Sequence, residues 1–206
     1  MYVPKPFAET DVARLHALVR AHPFATLVSS AAGELFASHV PLLLDATDGG
    51  LGTLHGHVAR ANPHAAALAD GVPSLAIFHG AHAYVSPRWY AGAPNVPTWN
   101  YVAVHASGTA RALTDPVAVR GLLARTAAAF EAGAGAPWTL EQVPAPWADG
   151  LQRAIVAFAL PIERLEGKRK LSQNKSAADR AGVVAALRAS GLPGDAEVAA
   201  AMEALP

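Results

Sequence analysis

Nine histidines in a chain of few charges are the first residues that could do chemistry. His55 and His57 lie two apart in an apolar run, so on a strand both side chains leave one face. His79 and His82 flank Gly80, and with His39 they could assemble an all-imidazole metal site, since neutral imidazole is a common ligand. No carboxylate adjoins them, so the expectation is that no metal is required; strand-end hydrogen bonds to backbone and solvent are the alternative reading. A second candidate is the run His57-Val58-Ala59-Arg60-Ala61-Asn62-Pro63. A strand ending in Arg and entering an Asn-capped helix start offers one guanidinium and several unpaired N–H groups, which suits a phosphate. Equally, Asn62 could serve only as the cap and Arg60 be solvated.

Aromatic residues make the third group. Tyr84, Trp89, Tyr90, Trp99 and Tyr101 fall close together in a chain that is only 7% aromatic. The backbone between them holds Pro87, Gly92, Pro94 and Pro97, and Ser86, Thr98 and Asn100 add polar groups. Rings beside such donors can stack on a flat heterocycle and read its edge. They could also form an oligomer interface, where Trp and Tyr are enriched. The fourth group is the basic run Lys168-Arg169-Lys170 with Gln173, Asn174 and Lys175. It could anchor a phosphate, touch nucleic acid or be a solvated connection.

These residues need elements to hold them. Thr10-Asp11 caps a predicted helix over 11–21, which Pro23 ends. Residues 24–29 and 35–44 read as a hairpin around a turn at 31–34. A strand over 53–59 leads through Asn62-Pro63 into a short helix over 64–69, with Pro at its first position. Strands are expected over 74–78 and 83–86, broken at Gly80, then irregular backbone over 87–98 and a long strand over 100–112. Asp115-Pro116 opens a helix to about 132, and 133–137 is a linker. Strand character resumes over 155–165, with Pro161 at an edge or bulge. Ala-rich helices over 176–188 and 195–204 follow. Short strands joined by turns, with helices added, predict a mainly β, α+β protein built on an antiparallel barrel or sandwich.

Composition narrows the function classes. Lys and Arg number 16 against 16 Asp and Glu, so the chain lacks the basic excess of most nucleic-acid and acidic-membrane binders. The last two helices resemble a helix-turn-helix only loosely, because the second has no Arg, Lys or Gln to read bases; direct DNA binding is therefore not expected. The absence of cysteine excludes disulfides, thiolate zinc sites and Cys nucleophiles. Neither a secretory signal nor an uninterrupted apolar run of transmembrane length is seen, and a cytoplasmic protein is expected. Nucleophile elbow, Walker loop and dinucleotide fingerprint are all missing.

Six segments in one order carry a resemblance: MYVPKPFAETD, Ser38-His39-Val40-Pro41-Leu42, HGHVARANP, YVSPRWY, VPTWNYVAVHASG and KRKLSQN. Together they resemble the PaiB family of FMN-binding negative transcriptional regulators, from residue 1 to about Gly182. The loop between Tyr90 and Val96 is shorter than the family usually carries. The resemblance implies an antiparallel split β-barrel of the pyridoxamine-phosphate-oxidase type, a homodimer with FMN where the subunits meet. Residues 1–175 would form the flavin domain and 176–206 helices packed on it. The matching segments nominate Ser38, His39, His57, Arg60, Asn62, Tyr84, Ser86, Trp89, Thr98, Trp99, Asn100, Lys168, Lys170, Gln173 and Asn174 as cofactor-binding residues. Of these Arg60 is expected to be the main phosphate ligand, assisted by Lys170, with His39, His57 and Trp99 around the ring system. A flavin-dependent oxidoreductase is the alternative function, and a haem- or metal-binding barrel the third.

Overall fold

The computed structural model describes residues 1–92, 94–133, 135–136 and 138–205. After a turn of 3-10 helix come β1 (Ala8–Glu9), α1 (Val12–Ala21), β2 (Phe24–Ala31), β3 (Glu34–Pro41), β4 (Leu43–Asp45), β5 (Thr53–Ala59) and α2 (His64–Ala69). Then follow β6 (Val72–Val85), β7 (Thr98–Ala112), α3 (Pro116–Glu131), α4 (Ala145–Arg153), β8 (Ile155–Pro161), β9 (Arg164–Lys170), α5 (Ala177–Ala189) and α6 (Pro193–Glu203). Strand order is β3-β2-β6-β7-β8-β5-β4, with β9 on β7 and β1 on β9. This is the expected α+β class with an antiparallel sheet. No helix among the described residues is long and apolar enough to cross a membrane.

The chain forms two compact units. One comprises 1–18, 79–105 and 166–206, and the other 19–78 and 106–165. In the second unit, β2 and β3 pair through Ala31↔Glu34 around Ala32 and Gly33. Both turn residues have positive φ, 52° and 82°. That is the backbone a two-residue hairpin of this twist demands. The alternating faces then bury Leu27 and Val40, and β5 and β8 add Leu54, Phe158 and Leu160. Helix α3 starts on Asp115, whose carboxylate accepts the N–H groups of Val117 and Ala118, and it lays Val119 and Leu122 against Ala157. In the first unit, Val183 and Leu187 of α5 meet Val198, Ala199 and Met202 of α6 over Val85, Tyr90, Val102 and Leu171.

Three expectations are corrected, and one helix is added. Gly80 does not break a strand, because β6 runs from Val72 to Val85 and the ladder outweighs the entropic cost of one glycine. The 35–44 run divides at Leu42, whose N–H turns to the Pro23 carbonyl, and Leu43–Asp45 pairs with β5 instead. The 155–165 run is also two strands. The second, β9, carries Lys168 and Lys170, so these lysines do not lie on a flexible connection; β9 pairs with β7 and, at Gly167 and Lys168, with β1. Helix α4 lies in a stretch, 138–154, to which the sequence reading assigned no element; its Pro146 is tolerated because it falls in the first turn. The predicted linker over 133–137 lies partly outside the described residues.

Gly108 tests the closeness of the second unit's strands. A Cβ there would run into the Pro161 carbonyl and press on Leu160. Gly108→Ala should lower stability by about 1–3 kcal/mol, read as a lower urea midpoint with an unchanged slope.

Candidate functional site

In the second unit two of the nominated residues, Ser38 and Asn62, meet at a histidine that was not nominated. His64, the first residue of α2, is wholly out of solvent. Its Nδ1 lies 2.9 Å from Ser38 Oγ on β3 and its Nε2 2.8 Å from Ser29 Oγ on β2. Ser29 continues to Ser74 Oγ at 2.7 Å, and Ser74 donates to the Val72 carbonyl. At the other end the Asn62 amide donates to Ser38 Oγ, 3.1 Å away. The Val72 carbonyl can only accept, so Ser74 and Ser29 pass their hydrogens toward it and His64 Nε2 donates to Ser29. When the ring is neutral, Nδ1 accepts from Ser38, and burial favours that form by pushing the His64 pKa below the ordinary histidine value. Asn62 Oδ1 also accepts the His64 N–H at 3.0 Å. Asn62 thus caps α2 as expected, although Pro63 occupies the N-cap position.

Arg60 follows β5 and is exposed. Its Nε donates to the Arg153 carbonyl at 2.6 Å and its Nη2 to the Ile155 carbonyl at 2.7 Å. These bonds tie the end of β5 to the turn between α4 and β8. Nη1 remains. His39, next to Ser38, leaves the opposite face of β3, where it is exposed, meets Thr26 Oγ1 at 3.2 Å and stacks on Phe24. His57 is half-buried, and burial lowers its pKa. His55 on the same face is shifted the same way, chiefly by burial and then by Arg125, and its Nδ1 has no partner. Among the described residues no three potential ligands gather at a metal-binding distance.

The first unit assembles the aromatic and basic groups. Tyr84 meets Trp89 and Trp99 edge-on, and Trp99 is 54% exposed. Lys170 Nζ donates to Thr98 Oγ1 at 2.6 Å and to the Trp99 carbonyl. Burial, then the charges of Lys168 and Lys175, lower the Lys170 pKa. Lys168 is 7% exposed, donates to the Tyr2 carbonyl and lies between the Tyr2 and Tyr101 rings. Other nominated groups are engaged within the fold. Ser86 Oγ accepts from the Arg88 N–H, Asn100 bonds Ser172, and Gln173 bonds the Leu171 N–H and the Arg169 carbonyl. Asn174 is exposed, and its amide has no partner among the described residues. Ser172, which turns the chain there, holds a left-handed backbone with φ 63°.

Each donor set suits a flavin in kind: a guanidinium beside an amide for an anion, or flat exposed rings beside a lysine. Residues 1–164 match the FMN_bind_2 family model, described as "Putative FMN-binding domain". The chain belongs to that family. It is 31% identical over 203 residues to the protease synthase and sporulation protein PAI 2 of Bacillus subtilis, covering 98% of this chain and 97% of that one. An uncharacterised protein of Emericella nidulans is 30% identical, with 89% of each chain covered. The fold is shared with the FAD and heme binding protein of Mycobacterium smegmatis, at TM-score 0.61 and 20% identity over 90% of this chain and 80% of that one. Flavocytochrome Anf3 of Azotobacter vinelandii gives TM-score 0.62 at 17% identity, over 82% and 72%. The PaiB-type resemblance of the six sequence segments therefore holds. The chain is a flavin-binding split barrel, and its cofactor is FMN.

His64, Ser29 and Ser74 escaped the sequence reading because no fixed spacing joins three residues from β2, α2 and β6. His64 directly after the Asn-Pro cap was the one available signal. The neutral relay makes stability depend on pH. A histidine whose folded pKa lies below the ordinary value of about 6.5 takes its proton first in the unfolded chain. Stability from His64, His55 and His57 should therefore be complete above about pH 6.5 and diminish as pH falls below it. Urea midpoints at pH 7.5 and 5.5 check this. Ser38→Ala, which orphans both Nδ1 and the Asn62 amide, should cost about 1–3 kcal/mol at neutral pH.

Proposed function

We propose that this chain works as a homodimeric FMN-binding regulator that does not read DNA itself. The family match supports the flavin. The exposed Tyr84 and Trp99, with the partly buried Trp89 against Tyr84, support a subunit interface, since large aromatic rings are over-represented there. The balanced charge, and an α6 without Arg, Lys or Gln, support an indirect effect on transcription. Bound flavin would supply electron-transfer chemistry, while the protein contributes binding, orientation and electrostatics.

For the phosphate, the reading retains Arg60 and Asn62. The observation that carries it is the fixed guanidinium, whose Nε and Nη2 are held by backbone carbonyls so that Nη1 is presented with little freedom left to lose. Lys170 is the rival anchor, a point charge already bonded to Thr98 and Trp99. His39, His57 and Trp99 remain the choices near the ring system.

Titration of FMN against riboflavin, in wild type, Arg60→Ala and Lys170→Ala, tests the assignment. Loss of a charged hydrogen bond of about 1.5–3 kcal/mol should weaken FMN roughly ten- to a hundredfold in Arg60→Ala and leave riboflavin unchanged. If Arg60→Ala keeps the preference and Lys170→Ala loses it, the basic run holds the phosphate. Adding a reduced nicotinamide anaerobically should leave the yellow colour intact; bleaching would favour the oxidoreductase reading, and a Soret band the haem reading. Light scattering at micromolar concentration should give about twice the 21.2 kDa chain mass, whereas a monomer would remove the interface proposal.

A further inference from the structure

The second unit holds an open cavity of about 900 Å³, between α2, the start of α3, the end of α4 and the first residues of β8. This is at the upper end of the usual range for small-molecule sites, about 300–1,000 Å³. Its inner surface is small and apolar. Ala66 and Ala69 of α2, Ala112 at the end of β7 and Leu113 contribute to it, and larger side chains at the alanines would close the space. Three hydrogen bonds hold the frame open. Gln152 at the end of α4 donates to the Pro116 carbonyl at the start of α3, 2.8 Å away. Arg60 holds the adjoining turn through the Arg153 and Ile155 carbonyls.

The charge of this lining is unbalanced. Arg60, Arg120 and Arg153 face a single acid, Asp149. That acid meets only Arg120, at 4.0 Å, with both side chains about half exposed, a contact worth little in water. The Arg153 guanidinium has no acidic partner among the described residues. An apolar floor under a net cationic rim is complementary to one kind of small molecule.

We propose that this cavity binds an amphipathic anion, a carboxylate carried on an apolar body, with the body over the alanine floor and the carboxylate toward Arg120 and Arg153. Arginine suits this because its planar fork meets a carboxylate with two parallel hydrogen bonds. Arg60, the proposed phosphate ligand, stands at the edge of this lining, so the proposal rests on the FMN phosphate meeting Arg60 from outside the cavity.

Decanoate is the probe, with decanol as its uncharged counterpart, titrated calorimetrically into the FMN-loaded protein. Decanoate should bind and decanol bind at least tenfold more weakly. The double variant Arg120→Ala/Arg153→Ala, with Arg153 exposed and Arg120 partly so, should weaken decanoate at least tenfold and leave decanol unchanged and the urea midpoint close to wild type. Ala66→Trp, an exposed position at the cavity wall, should abolish binding of both while FMN affinity stays as in wild type. Equal binding of the two probes, or wild-type decanoate affinity in either variant, overturns the proposal. So does failure of decanoate to bind at millimolar concentration. Stoichiometric displacement of decanoate by FMN in the apoprotein would also overturn it, by assigning the cavity to the flavin, and would leave the flavin reading standing.

Discussion

A histidine removed from water can stay only if both ring nitrogens find partners, and the second unit is arranged around that constraint. His64 requires one donor and one acceptor at fixed positions. Ser38 must therefore face inward on β3 and Ser29 inward on β2, while Ser74 must stand opposite Ser29, as the Ser29↔Ser74 register between β2 and β6 places it. A one-residue slip in either strand pair would turn a hydroxyl to the other face and leave buried polar atoms unpaired. Phe36 stacking on the His64 ring closes the remaining side. The same network reaches Asn62, so the cap of α2, two residues after Arg60, is placed by the packing of three strands.

Four cations at the candidate sites are held by neutral groups. Arg60 is fastened to two carbonyls, Lys170 to a hydroxyl and a carbonyl, and Lys168 to a carbonyl and two aromatic faces. Lys175 follows the pattern, bonding Asn95 Oδ1 and lying 4.9 Å from the Tyr90 ring centre. Carbonyl oxygens and ring faces fix the position of a cation without cancelling its charge, so its field remains available to an anion. Acids elsewhere serve the fold: Asp179 accepts the Ala91 and Gly92 N–H groups and ties the aromatic loop to α5, and these bonds lower its pKa. A chain with no net charge can in this way present local positive sites. For a family of FMN-binding domains, whose ligand ends in a phosphate, that arrangement is chemically coherent.

Much of the architecture was legible from local chemistry. The turn at Ala32-Gly33, the Asp115 cap before Pro116 and the alternation of Thr53–Ala59 each constrain the backbone within a few residues, so the hairpin, α3 and β5 stand where the sequence indicates. The six motif segments also identified the family, because each preserves residue types in order along the chain. What sequence could not decide were features that depend on a partner strand. Gly80 reads as a break until the ladder of β6 is in place, and the basic run reads as a solvated connection until β1 pairs with it. His64 is one histidine among nine until β2, β3 and β6 surround it with serines. In each case the deciding energy is a hydrogen bond or a burial between residues far apart in the chain, and local spacing carries no record of such a contact.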